Sequence, residues 1–135
     1  MRARDLAAIG AGGAIGALAR YGLSDAFPAE PGRFPITTFT INVVGAFLLG
    51  VLLEWLVRHR SIEHWARFFA GVGVLGAFTT FSTLATEVVE LTRDGHGAIA
   101  ALYAVASVVA GLAAVVAGLV TAGWRTPPVP AEGES

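Results

Sequence analysis

The chain has 135 residues, enough for one small domain, of which 55% are hydrophobic and only 14% charged, with a formal net charge of -1. Soluble domains carry about 25% charged residues, so this composition marks an integral membrane protein. No basic cluster is present to grip nucleic acid, and the absence of cysteine excludes disulfide scaffolds, thiolate nucleophiles and Cys-ligated zinc.

The first apolar segment, 6–23, follows Arg2, Arg4 and Asp5. Its start resembles a signal peptide, but Gly-rich apolar sequence continues to Arg20 and Tyr21 and further apolar segments follow, so it reads as a retained transmembrane helix. Gly12 and Gly16 form a G-x-x-x-G, a spacing that lets two helices approach closely. Pro28, Pro31 and Pro35 then bar a continuous helix. The second segment, 35–57, puts Thr38, Asn42, Gly45 and Leu49 on one helical face, with Glu54 near its end and within reach of the headgroups.

A short polar loop leads to the third segment, 65–91, which opens on Trp65, a residue suited to a membrane interface. Gly71, Gly73 and Gly76 are followed there by Thr79, Thr80, Ser82 and Thr83 around Phe81. A turn at 93–97 precedes the fourth segment, 98–124, which is uncharged and carries Tyr103, Ser107 and Gly111 at four-residue steps. Trp124 and Arg125 mark its exit, and residues 126–135, with Pro127, Pro128 and Pro130, are expected to be a disordered tail. The expected fold is therefore an all-α integral membrane subunit over 1–125 with four transmembrane helices. An even number of spans places both termini on one side. Six arginines fall on that side (Arg2, Arg4, Arg58, Arg60, Arg67, Arg125) against Arg33 and Arg93 on the other, which assigns the termini to the cytoplasm.

The polar residues inside these spans are the candidates for function. A lone membrane Thr or Ser bonds a carbonyl one turn earlier and bends the helix. Four hydroxyls behind three glycines point instead to an unwound turn, tolerated at membrane depth only inside protein or beside a water-filled cavity. Asn42 either bonds across to another helix or offers its two amide donors to a dehydrated anion. Phe78 and Phe81 are apolar bulk, or present a positive ring edge to an anion. Tyr103 and Ser107 are packing or a polar track. Arg20 snorkels to the interface, draws anions to a vestibule, or both. His59, His64 and His96 read as solvated, and Glu87 and Glu90 as interfacial, with Glu87 within reach of a partner chain. No phosphate-binding G-x-x-x-x-G-K-[ST], no His-Glu-x-x-His and no Ser-His-Asp set occurs, so nothing points to ATP drive or to an enzyme.

Three blocks, GGAIGALARY at Gly12–Tyr21, TFTINVVGAFLLG at Thr38–Gly50 and GAFTTFST at Gly76–Thr83, resemble in order and spacing the CrcB/Fluc family of fluoride channels over about 12–118. The resemblance implies a passive fluoride-selective channel subunit in the cell's inner membrane, lowering the toxicity of cytoplasmic fluoride. It implies an antiparallel, dual-topology dimer with two pores at the subunit interface and a third helix broken mid-membrane. The fluoride pathway would fall on Asn42, Phe81, Ser82, Thr83, Tyr103 and Ser107, and the vestibule cation on Arg20. A structural Na+ at the dimer centre would lie on the backbone carbonyls of Gly76 and Thr79. Two positions depart from the family pattern: Leu84 stands where a second pore phenylalanine is expected, and Gly111 where a further serine is. Leu84 and the arginine bias suit a chain that works with a paired homologue, although Phe78 could supply the missing ring. A non-conducting or half-active partner subunit and a small coupled exporter remain open, the latter weakened by the lack of an acidic residue in 6–23.

Overall fold

A computed structural model describes residues 1–123, so the expected tail, with Trp124 and Arg125, lies outside the described residues. All regular structure among them is helical: α1 (Ala3–Ala26), α2 (Ile36–Arg58), α3 (His64–Arg67), a π-helical stretch (Phe68–Leu75), α4 (Gly76–Phe78), α5 (Phe81–Arg93) and α6 (Gly97–Thr121). These form four helical spans long and apolar enough to cross a membrane, Ala3–Ala26, Ile36–Arg58, His64–Arg93 and Gly97–Thr121. Each exceeds the about 20 residues a hydrocarbon core requires.

α1 begins earlier than the hydropathy pattern suggests, because Asp5 closes its first turn. The Asp5 carboxylate accepts the Arg2 backbone N–H at 2.9 Å, and its negative charge sits at the positive end of the helix. The first span therefore does hold acidic residues, Asp5 committed to the helix start and Asp25 in its last turn. Glu54 likewise departs from expectation. It is buried rather than reaching the headgroups, and it accepts from Arg58 Nε at 2.9 Å while the Arg58 guanidinium also bonds the Gly123 carbonyl.

Glycine decides how the spans pair. A Cβ on Gly12 would strike the Phe69 carbonyl and one on Gly16 the Val74 carbonyl, so α1 lies directly on the π stretch. A Cβ on Gly50 would meet the Val115 carbonyl and one on Gly118 the Phe47 carbonyl, so α2 and α6 touch backbone to backbone. The third span joins the two pairs. Its first half packs on α1, and its second half, α5, packs on α6. There Leu91, Ala100 and Tyr103 form a small core closed by Phe34, Phe39 and Leu84. Many outer residues, such as Leu102 and Leu112, stay exposed, as apolar residues of a spanning helix that meet lipid would.

Between the halves the helix is interrupted. α4 ends at Phe78, Thr79 (φ -76°, ψ 154°) and Thr80 (φ -147°, ψ 119°) are extended, and α5 starts at Phe81. The π stretch before it, with wider i→i+5 turns, has no counterpart in the hydropathy pattern. Such turns cluster at functional sites.

Candidate functional site

The interruption leaves backbone groups to be satisfied, and polar side chains from three spans converge on it. Asn42 of α2 donates from Nδ2 to the Thr80 carbonyl (2.9 Å) and accepts the Thr80 N–H on Oδ1 (2.8 Å). The side-chain amide thus pairs with one residue as a neighbouring strand would. One of its two N–H donors remains.

The hydroxyls divide by role. Thr79 Oγ1 donates to the Leu75 carbonyl at 3.0 Å, closing the first half-helix. Thr80 caps the second half: its Oγ1 accepts the Thr83 N–H at 3.2 Å and donates to Thr83 Oγ1 at 3.0 Å. Ser82 Oγ lies 3.3 Å from Thr80 Oγ1 and is exposed. Arg20 of α1 reaches the same place, Nε donating to the Ala77 carbonyl at 3.0 Å. A cation there complements the negative end of the first half-helix.

Beside the interruption runs a cleft of about 370 Å³, lined among others by Asn42, Gly76, Thr79, Thr80, Phe81 and Ser107. It is a groove, open on one side, and Leu84 forms part of its wall. Phe81 is 79% exposed on it. Ser107 Oγ is buried with no hydrogen-bond partner. Arg20, Ser82, Thr83 and Tyr103 are not among the lining residues. Phe78, whose ring lies beside Gly45 of α2, is not among them either.

Tyr103, fully buried one turn before Ser107, belongs to a second polar group. Its hydroxyl donates to Glu87 Oε2 at 2.6 Å, Thr38 Oγ1 donates to Glu87 Oε1 at 2.8 Å, and the Phe34 ring meets Tyr103 edge-on with centroids 5.2 Å apart. Glu87 thus ties α2, α5 and α6 together, near the end of the bundle beside the loop at 29–35. The sequence held a signal for this. Thr38 lies one turn before Asn42 on α2, and Tyr103 one turn before Ser107 on α6, so two facing polar steps required a shared partner.

The profile of the family described as "CrcB-like protein, Camphor Resistance (CrcB)" matches residues 7–119. The chain belongs to this CrcB-like family. Among curated relatives it is 46% identical over 112 residues to "Fluoride-specific ion channel FluC 1" of Mycobacterium tuberculosis, covering 83% of this chain and 85% of that one. It is 46% identical over 119 residues to "Fluoride-specific ion channel FluC 3" of Streptomyces avermitilis, covering 88% and 58%. It is 44% identical over 113 residues to "Fluoride-specific ion channel FluC" of Saccharophagus degradans, covering 84% and 85%.

Backbone carbonyls at the interruption are oxygen donors, the kind of ligand a hard cation takes. In a continuous α-helix the Thr80 N–H would bond the Gly76 carbonyl and the Thr83 N–H the Thr79 carbonyl. Here the first goes to Asn42 and the second to the Thr80 hydroxyl. Gly76 and Thr79, both on the groove wall, are thereby relieved of those partners, so the donor set fits in kind. Among the described residues no three His, Asp or Glu side chains gather where they could hold a metal ion.

Proposed function

We propose that this chain is a subunit of a passive, fluoride-selective channel that lets cytoplasmic fluoride leave the cell down its gradient. It works in the inner membrane as an antiparallel dimer with a second chain, either its own copy or a paired homologue, and its termini face the cytoplasm where orientation is fixed. The observation that carries this reading is the polar groove at the helix interruption, in a chain similar over most of its length to proteins named as fluoride-specific channels.

Fluoride is small and tightly hydrated, so a path must replace its water with donors while holding it weakly enough to let go. The spare Asn42 N–H and the unpartnered Ser107 hydroxyl supply donors, and Phe81 supplies a positive ring edge. Tyr103, whose proton is held by Glu87, continues the line of polar groups one turn further along α6. Ser82 and Thr83 surround the start of α5. Arg20 raises the local anion concentration at the mouth. A groove open on one side needs a second chain to close it, which supports the dimer. Na+ held by the Gly76 and Thr79 carbonyls would fix the interrupted turns in place.

The test is efflux from liposomes holding only this chain, read with a fluoride electrode and repeated with chloride. Fast, fluoride-selective efflux is the expected result. Efflux only after a homologous chain is added would replace the homodimer by a pair, with Leu84 the first suspect for the deficit. No efflux in either case from folded protein would overturn the channel reading.

A further inference from the structure

At the end of the bundle that carries Arg58 to Arg67, a hollow of about 520 Å³ is unconnected with the groove at the interruption. Leu53, Leu56 and Val57 of α2 and Ile62 form its apolar wall, and Arg60 and Arg67 supply its charge. Leu53 is 45% exposed and Val57 60% exposed. Arg67 Nε donates to the Ile62 carbonyl at 3.3 Å, and its guanidinium also reaches the Arg60 carbonyl at 3.1 Å, folding the loop over its own charge.

The neighbouring carboxylates are already engaged. Glu54 pairs with Arg58 at 2.9 Å, while Glu63 pairs with Arg4 at 3.0 Å and accepts from Trp65 Nε1. Among the described residues neither Arg60 nor Arg67 has an acidic partner, and no carboxylate lines the hollow. Trp55 and Trp65 flank this loop, and tryptophan at both helix ends sets it at headgroup depth. Two guanidiniums with no carboxylate partner, that of Arg67 held by the Ile62, His59 and Arg60 carbonyls, lie over an exposed aliphatic stripe at that depth and match a phosphate joined to acyl chains.

We infer that this hollow is a binding site for an anionic phospholipid. Its phosphate lies between Arg60 and Arg67, and an acyl chain runs along Leu53 and Val57 of α2. Basic pockets between membrane helices recognise acidic headgroups in this way. The site is independent of the fluoride path, since it shares no residue with the groove.

Native mass spectrometry of the purified full chain, titrated with dioleoyl phosphatidylglycerol or dioleoyl phosphatidylcholine, tests it. Phosphatidylglycerol should bind at least about fivefold tighter, roughly the factor carried by one basic residue near an anionic surface. Arg60→Gln should lower phosphatidylglycerol affinity by about fivefold and leave phosphatidylcholine unchanged, and Arg60→Lys should restore most of it. Arg33→Gln, in the loop at the other end and already paired with Glu30, should have no effect. Equal affinity for the two lipids, an Arg60→Gln chain that binds like wild type, or an equal loss in Arg33→Gln would each overturn the site. Displacement of the lipid by millimolar inorganic phosphate would reassign it to a free anion and overturn the lipid reading.

Discussion

Replacing Asn42 by alanine removes two hydrogen bonds at once and leaves both the N–H and the C=O of Thr80 without their partner. A side-chain bond between membrane helices is worth about 0.6 kcal/mol on average, while a buried unsatisfied group costs about 1–3 kcal/mol. Asn42 and Thr80 are half-buried on an open groove, where water relieves part of the loss, so the expected cost is about 2 kcal/mol. This corresponds to about a thirtyfold shift in the local opening equilibrium. Hydrogen exchange of the Thr80 amide reads that opening directly, and it should accelerate by about thirtyfold in Asn42→Ala. Asn42→Asp keeps an acceptor for the Thr80 N–H but sets an oxygen against the Thr80 carbonyl, so protection should fall less. Both variants should lose fluoride efflux, the first by losing the donor and the second by placing a negative charge on an anion path. Thr80 exchange within about twofold of wild type in Asn42→Ala would refute the brace.

Gly16→Ala should destabilise the chain by about 1–3 kcal/mol in detergent unfolding, because its Cβ meets the Val74 backbone, which cannot swing aside. Gly13→Ala, with nothing within 4 Å, should be neutral or stabilising by up to about 1 kcal/mol. Phe81→Ile should abolish fluoride efflux with little change in the secondary structure seen by circular dichroism, since the ring is 79% exposed within its own chain. Tyr103→Phe should cost about 1–2 kcal/mol of stability, and Glu87→Ala more, because the latter strands two hydroxyls that now share one carboxylate. Arg20→Gln should slow fluoride entry most at low ionic strength, so efflux measured against salt should show a flatter dependence than wild type.

The spans were legible because hydropathy over about 20 residues is a local property that lipid enforces. Gly12 and Gly16 announced a close helix contact, which lies on the π stretch. The place where the third span is interrupted was also signalled, by glycines followed by hydroxyls. What those hydroxyls do was not legible. Whether Thr80 caps a helix or faces an ion depends on one pair of backbone angles, and composition is blind to them. Asn42 admitted two readings, and the structure shows the bond across to another segment while leaving a donor over. The partners of Glu87 were not legible because four-residue periodicity within one helix cannot show which neighbouring helix will supply Thr38 or Tyr103. The reach of Arg20 to Ala77 is a contact across 57 residues, invisible to any local pattern.

The π stretch Phe68–Leu75 has a consequence for how such a span can vary. A helix wound with wider turns carries slack that an α-helix lacks. Losing one residue there would let the coil tighten to ordinary winding, so the change is taken up locally, whereas a deletion in an ordinary α-helix moves everything beyond it by about 1.5 Å along the axis and swings it through about 100°. The anchoring end at His64 and the half-helix from Phe81 to Arg93 would then keep their relative placement more closely than after a deletion in regular α-helix. The stretch acts as a buffer, absorbing a change in length before it reaches the polar turn. A single-residue deletion between Phe68 and Leu75 should therefore disturb fluoride efflux less than a single-residue deletion in the middle of α6.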